Sequence, residues 1–77
     1  MTVKPFFVRA EWDEEAAVWV ATSDDVPGLA TEETTMEGLV KKLRVIIPEL
    51  LKANNVKTAD SVPFEIITRR FESAQSA

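Results

Sequence analysis

The segment Glu11–Leu29, EWDEEAAVWVATSDDVPGL, contains a strand between two turns and determines how the first half of the chain folds. Residues Ala16–Ser23 alternate with a period of two, which predicts a β-strand. Before them, Asp13-Glu14-Glu15 is a polar turn short enough for a hairpin. The preceding run, Lys4–Trp12, alternates in the same way and predicts the first strand of that hairpin.

The second turn is the motif Val26-Pro27-Gly28-Leu29. Proline sets φ for the first central position of a turn, and glycine accepts the positive φ that a type II turn requires at the next position. The motif therefore predicts a tight turn that ends the second strand. A shorter third strand, Gly28–Glu32, is expected to follow it.

A helix is predicted to begin at Thr34, whose hydroxyl can cap the amide of Glu37 while Glu37 reaches back in a capping box. Apolar residues then recur at helical spacing and form one stripe: Met36, Leu39, Val40, Leu43, Ile46, Ile47, Leu50 and Leu51. Pro48 either kinks this helix on its solvent side or begins a second short helix. Asn54-Asn55 is expected to end the helical region.

A last strand is predicted over Phe64–Phe71, after a loop at Lys57–Pro63. The order β-β-β-α-β predicts an α+β fold in which one helix packs on one face of the sheet. Three strands form an antiparallel meander, and the fourth lies beside the first and parallel to it, through a right-handed crossover. We expect a single domain over residues 1–72 and a disordered tail over residues 73–77.

The composition excludes several functions. The 77 residues contain no cysteine, histidine or tyrosine, so disulfides, thiolate nucleophiles and the commonest general base and metal ligand are absent. We therefore expect no enzyme activity, no metal and no cofactor. The chain has no apolar run long enough for a membrane helix or a signal peptide, and a reducing cytoplasmic location fits its composition.

One sheet face is expected to remain uncovered, since a single helix covers only one. If Phe6, Val8, Trp12, Val18, Val20 and Ile66 pack under the helix, then four large apolar side chains lie on the opposite face: Phe7, Trp19, Ile67 and Phe71. An apolar patch of this kind is typical of an interaction site. The expected partner is a second copy of the chain in a homodimer. If the register is shifted, some of these residues belong to the core instead.

The order of these features resembles a known family. Glu11–Thr22, the Pro-Gly turn, Ala30-Thr31-Glu32 and the capped apolar helix are together similar to the N-terminal domain of HicB-type antitoxins. The likeness is greater to a small uncharacterised family of the HicB-like group, and it spans Phe6 to Leu51. It implies a partial ribonuclease H-like fold and a non-catalytic module that binds a small basic toxin-like protein. HicB-type antitoxins often carry a C-terminal DNA-binding domain, which we do not expect after Phe71.

Three other functions compete with that interpretation. A two-metal nuclease needs clustered carboxylates, whereas those of this chain lie mainly in turns. Nucleic-acid binding would use a basic set, Lys41, Lys42, Arg44, Arg69 and Arg70, but the net charge of −4 opposes it. The strongest alternative is a small homo-oligomeric domain of unknown function with no toxin partner.

Overall fold

A computed structural model describes residues 4–76 of the chain. Residues 1–3 of the predicted domain and residue 77 of the predicted tail lie outside the described residues. The elements follow the predicted order, and their bounds are β1 (Phe6–Asp13), β2 (Val18–Thr22), β3 (Ala30–Glu33), α1 (Met36–Ala53) and β4 (Phe64–Arg69). No helix within the described range has the length and apolar character needed to cross a membrane.

The four strands form one mixed sheet in the order β3-β2-β1-β4. β2 pairs with β1 and with β3, antiparallel to both, and β4 pairs with β1 in parallel. The parallel strand requires a connection that crosses the sheet, and α1 supplies it. The predicted meander with a fourth strand beside the first, and hence the α+β fold, is confirmed.

The core lies between the sheet and α1. The helix stripe supplies four residues that are at most 1% exposed, Leu39, Leu43, Ile47 and Leu51. The sheet and the loop after β2 supply the other buried residues: Val8, Ala10, Ala21, Val26 and Leu29. The helix lies over β2 and β3, and Phe6, Phe64 and Ile66 pack against the same core from β1 and β4.

The helix begins one residue later than predicted. Thr35, not Thr34, is the N-cap, and its hydroxyl accepts a hydrogen bond from the Gly38 amide at 3.0 Å. The predicted capping box is therefore wrong: Glu37 stands at the second helical position, and glycine occupies the third. Glu37 still lies in the first turn, where a negative charge favours the helix dipole.

Pro48 lies inside one continuous helix of 18 residues, so the alternative of a second helix beginning there is wrong. Its position is exposed, as predicted. The helix ends at Ala53 with Asn54 as its C-cap, and Asn55 adopts a positive φ of 59°. The amides of Asn55 and Val56 donate to the carbonyls of Lys52 and Leu51, which is the hydrogen-bond pattern of a Schellman motif.

The register of β2 differs from the predicted one. The turn after β1 contains four residues, Glu14–Ala17, and Ala17 takes a positive φ of 56°, so Asp13 pairs with Val18. A turn one residue longer moves every β2 side chain to the opposite face. Trp19 therefore lies on the helix side beside Trp12, and the prediction that Trp19 faces away from the helix is wrong. Val18 and Val20 take its place on the uncovered side.

Candidate protein-binding surface

The surface of the sheet opposite α1 is here named the open face. The strand registers assign twelve residues to it: Phe7, Arg9, Glu11, Asp13, Val18, Val20, Thr22, Ala30, Glu32, Glu65, Ile67 and Arg69. None of them is buried, and all are exposed apart from the half-buried Val18 and Val20. On the helix side of the same strands, Val8, Ala10 and Ala21 are fully buried. The two surfaces of one sheet thus differ sharply in burial.

A shallow cleft of about 370 Å³ opens on this face beside β1. Phe7 and Ile67 supply its apolar wall and are 38% and 53% exposed. Because Arg9 is the register partner of Ile67, Phe7 lies diagonally across from Ile67 on the neighbouring strand. Arg9, Asp24 and Asp25 add charge to the cleft lining. The cleft therefore offers two apolar contacts at the edge of charged groups.

The loop after β2 fixes the backbone of Phe7. β2 pairs with β1 only as far as Arg9, yet the Phe7 carbonyl accepts a hydrogen bond from Ser23 Oγ at 2.5 Å. The Phe7 amide donates to Asp25 Oδ2 at 2.8 Å. The two side chains replace the next residue pair of the ladder and hold Phe7 in the plane of the sheet. The sequence placed Asp25 among carboxylates that lie mainly in turns and did not predict this contact, although serine and aspartate after a strand commonly bond to backbone groups.

The motif Val26-Pro27-Gly28-Leu29 anchors that loop to the core. Val26 is fully buried and Leu29 is 5% exposed, while the central Pro27 and Gly28 face solvent. The Leu29 amide donates to the Val26 carbonyl at 3.2 Å, and Gly28 has a φ of 79°. The predicted tight turn with a positive φ at the glycine is confirmed. Its contribution to the candidate site is positional, since it holds Ser23 and Asp25 against β1.

The structure brings together two of the four side chains predicted for a binding patch. Phe7 and Ile67 share the cleft, and Phe71 lies two residues beyond the end of β4 with 84% of its surface exposed. Trp19 is separated from them by the sheet. Its ring meets that of Trp12 edge-on at 5.3 Å, and the Arg70 guanidinium lies 4.6 Å from the Trp12 centroid.

The charge of the open face is predominantly negative. Two arginines, Arg9 and Arg69, stand among four carboxylates: Glu11, Asp13, Glu32 and Glu65. Asp24 extends the acidic character into the adjoining loop, where it lies 4.0 Å from Arg9. Among residues 4–76, no three carboxylates come close enough to form a candidate metal site.

Comparisons with known proteins give two matches. A family model described as a domain of unknown function, DUF1902, matches residues 5–76. The crystal structure of a hypothetical protein from the extremely thermophilic bacterium Thermus thermophilus is 46% identical, with a TM-score of 0.72. The match covers 95% of this chain and 100% of that chain. No curated protein matches. Neither of the two descriptions names an activity or a partner.

Proposed function

The chain belongs to the DUF1902 family of domains of unknown function, and we propose that it is a non-catalytic protein-binding module whose open face receives the partner. The observation that carries this proposal is the contrast between the two sheet faces. Three strand residues under α1 are fully buried, and no strand residue of the open face is. An uncovered sheet face with large apolar side chains is typical of an interaction site.

The partner is proposed to be a small basic protein. Four carboxylates against two arginines give the open face a negative charge, which attracts a basic surface and repels nucleic acid. Phe7 and Ile67 supply the apolar contacts at the cleft. The resemblance to HicB-type antitoxins supports the finer proposal that this partner is a toxin-like protein, bound in the cytoplasm.

A capture experiment tests the proposal. The tagged protein is incubated with lysate of its native cells, the retained proteins are identified by mass spectrometry, and each candidate is purified and titrated by calorimetry. We expect a basic protein whose binding weakens as salt is raised and is reduced about tenfold or more by Phe7→Ala. Val45→Ala is the matched control, because Val45 is an apolar residue, 58% exposed, on the helix.

Two results would contradict the proposal. If no basic protein is retained, or if the retained protein binds Phe7→Ala as tightly as wild type, the open face is not the binding surface. Circular dichroism of the variant shows whether it is folded, so that loss of structure is not mistaken for loss of a contact. The second candidate function, a homo-oligomeric domain with no toxin partner, is favoured by a different part of the sheet, the outer edge of β4.

A further inference from the structure

The outer edge of β4 presents main-chain groups that no strand within residues 4–76 pairs with. The Phe6 amide donates to the Pro63 carbonyl at 3.0 Å, which fixes the phase of the parallel β1–β4 ladder. In such a ladder alternate residues bond to the neighbouring strand. Glu65, Ile67 and Arg69 therefore direct their amides and carbonyls toward β1. Those of Phe64, Ile66 and Thr68 point outward.

The two edges of the sheet are protected to different degrees. β3 is a four-residue strand with two consecutive glutamates, Glu32 and Glu33, and short charged strands discourage pairing with another chain. β4 has six residues, contains no proline and carries Ile66 and Ile67 at its centre. An edge of this length with apolar residues is a template for a further strand.

The sequence of β4 is complementary to itself in one antiparallel register. With Ile67 on a two-fold axis, Ile67 meets its own copy, and Glu65 lies opposite Arg69 of the second copy on both sides of the axis. The residues of these pairs direct their amides and carbonyls toward β1, away from the second copy. They are therefore the non-hydrogen-bonded pairs of the new ladder, in which side chains come closest. The outward-facing Ile66 and Thr68 then pair with each other and exchange the hydrogen bonds.

Neighbouring registers are less favourable. A hydrogen-bonded register must place residues whose amides and carbonyls point outward opposite one another. One strand can therefore slide along the other only by an even number of residues. Every such shift separates Glu65 from Arg69, and two of the shifts place Glu65 or Arg69 against its own copy. Like charges directly opposite each other are destabilising. Neither residue forms an ion pair within residues 4–76, so both charges are free to pair across the axis.

We propose that a second copy of this chain adds to the outer edge of β4, antiparallel and with Ile67 on the two-fold axis. The product is a continuous eight-stranded sheet with two Glu65–Arg69 ion pairs across the interface. The open faces of the two copies then lie side by side. This inference does not rest on the proposed capture of a basic protein, because it is argued from the main-chain edge of β4; Ile67 borders both the proposed dimer contact and the Phe7 cleft.

Exchange of the two charges tests the register. By sedimentation equilibrium we expect a wild-type dimer, and about tenfold or greater weakening of dimerisation in Glu65→Arg and in Arg69→Glu, where like charges meet. An equimolar mixture of the two variants restores both ion pairs and should form a heterodimer. The double variant carrying both substitutions should recover the homodimer. An unfolding effect of either substitution would not be reversed by mixing.

A proline substitution tests the edge itself. Thr68→Pro removes an outward-facing amide that β1 does not use, so we expect a folded monomer; Thr68→Ala, which keeps the amide, should dimerise like wild type. A wild-type protein that remains monomeric at a concentration of about 0.2 mM would overturn the proposal. So would a mixture of the two charge variants that fails to associate. If the wild-type protein captures a basic protein but forms no dimer, only the dimer proposal fails. If it forms the dimer but captures no basic protein, only the proposed function fails.

Discussion

The two faces of the sheet share the same strands but differ in what stabilises them. On the helix side, Ala10 and Ala21 are fully buried in the core, and the helix stripe fills that core without buried polar groups. On the open face, apolar side chains lie among charged ones, and side chains from a loop complete the ladder at Phe7. Stability therefore depends mainly on the helix side, and the open face contributes less to it, which suits the proposed binding.

The largest expected effect is on the helix side. Leu43→Ala should lower the free energy of unfolding by about 3 kcal/mol, since Leu43 is fully buried and its truncation leaves a cavity. Urea denaturation followed by circular dichroism measures this change. Val45→Ala, two residues along the helix and 58% exposed, should change stability by less than about 0.5 kcal/mol. Equal effects at the two positions would contradict the helix orientation.

Trp19→Ala should be the next largest, at about 2 kcal/mol of unfolding free energy. Trp19 is only half-buried, so its loss costs less than that of a fully buried tryptophan, but its contacts with the core and with Trp12 disappear. Trp19→Phe should recover roughly half of the loss. Unchanged stability together with loss of partner binding in Trp19→Ala would contradict the position of Trp19 on the helix side.

The wrong prediction of the face on which Trp19 lies shows how far sequence patterns determine this fold. The alternation of β1 predicts a strand, the Pro-Gly motif a tight turn and the apolar stripe a helix. Each pattern fits only one type of element, and together they predicted the element order and the sheet topology. β2 carries apolar residues on both faces, so its alternation alone could not choose between them. Only the turn length decides, and that depends on Ala17 in a left-handed conformation, which its residue type does not favour. Thr22, a polar residue on the same face as Val20, is the residue of β2 that indicates which face is exposed to solvent.

The candidate site was predictable only in part for a related reason. The period of two in their strands places Phe7 and Ile67 on the uncovered face, and the parallel pairing of β4 with β1 brings them together. The contacts of Ser23 and Asp25 with Phe7 depend on how a loop folds back across 16 and 18 residues of chain. Local sequence marks those residues as turn formers but does not specify which distant backbone group they bind.

On the open face, Asp25→Ala should lower the free energy of unfolding by about 1 kcal/mol. The substitution leaves the Phe7 amide without its acceptor, and the amide lies at an exposed position where water can partly replace the carboxylate. Amide hydrogen exchange measured by NMR should show faster exchange at Phe7 than in wild type. Unchanged exchange would mean that the carboxylate does not hold the strand.

Asp24→Asn is the matched change one residue earlier, and its effect on stability should be the smallest, within about 0.5 kcal/mol of zero. The Asp24 carboxylate lies 4.0 Å from Arg9, and the side chains are 92% and 58% exposed, so the ion pair is screened by water. The carboxylate borders the Phe7 cleft, however, and removal of its charge should slow association with the proposed basic partner, most clearly at low salt. Stopped-flow mixing measures that rate. A variant that is equally stable but associates more slowly would separate binding from folding on this face, whereas unchanged association at low salt would mean that the partner does not approach along the acidic rim of the cleft.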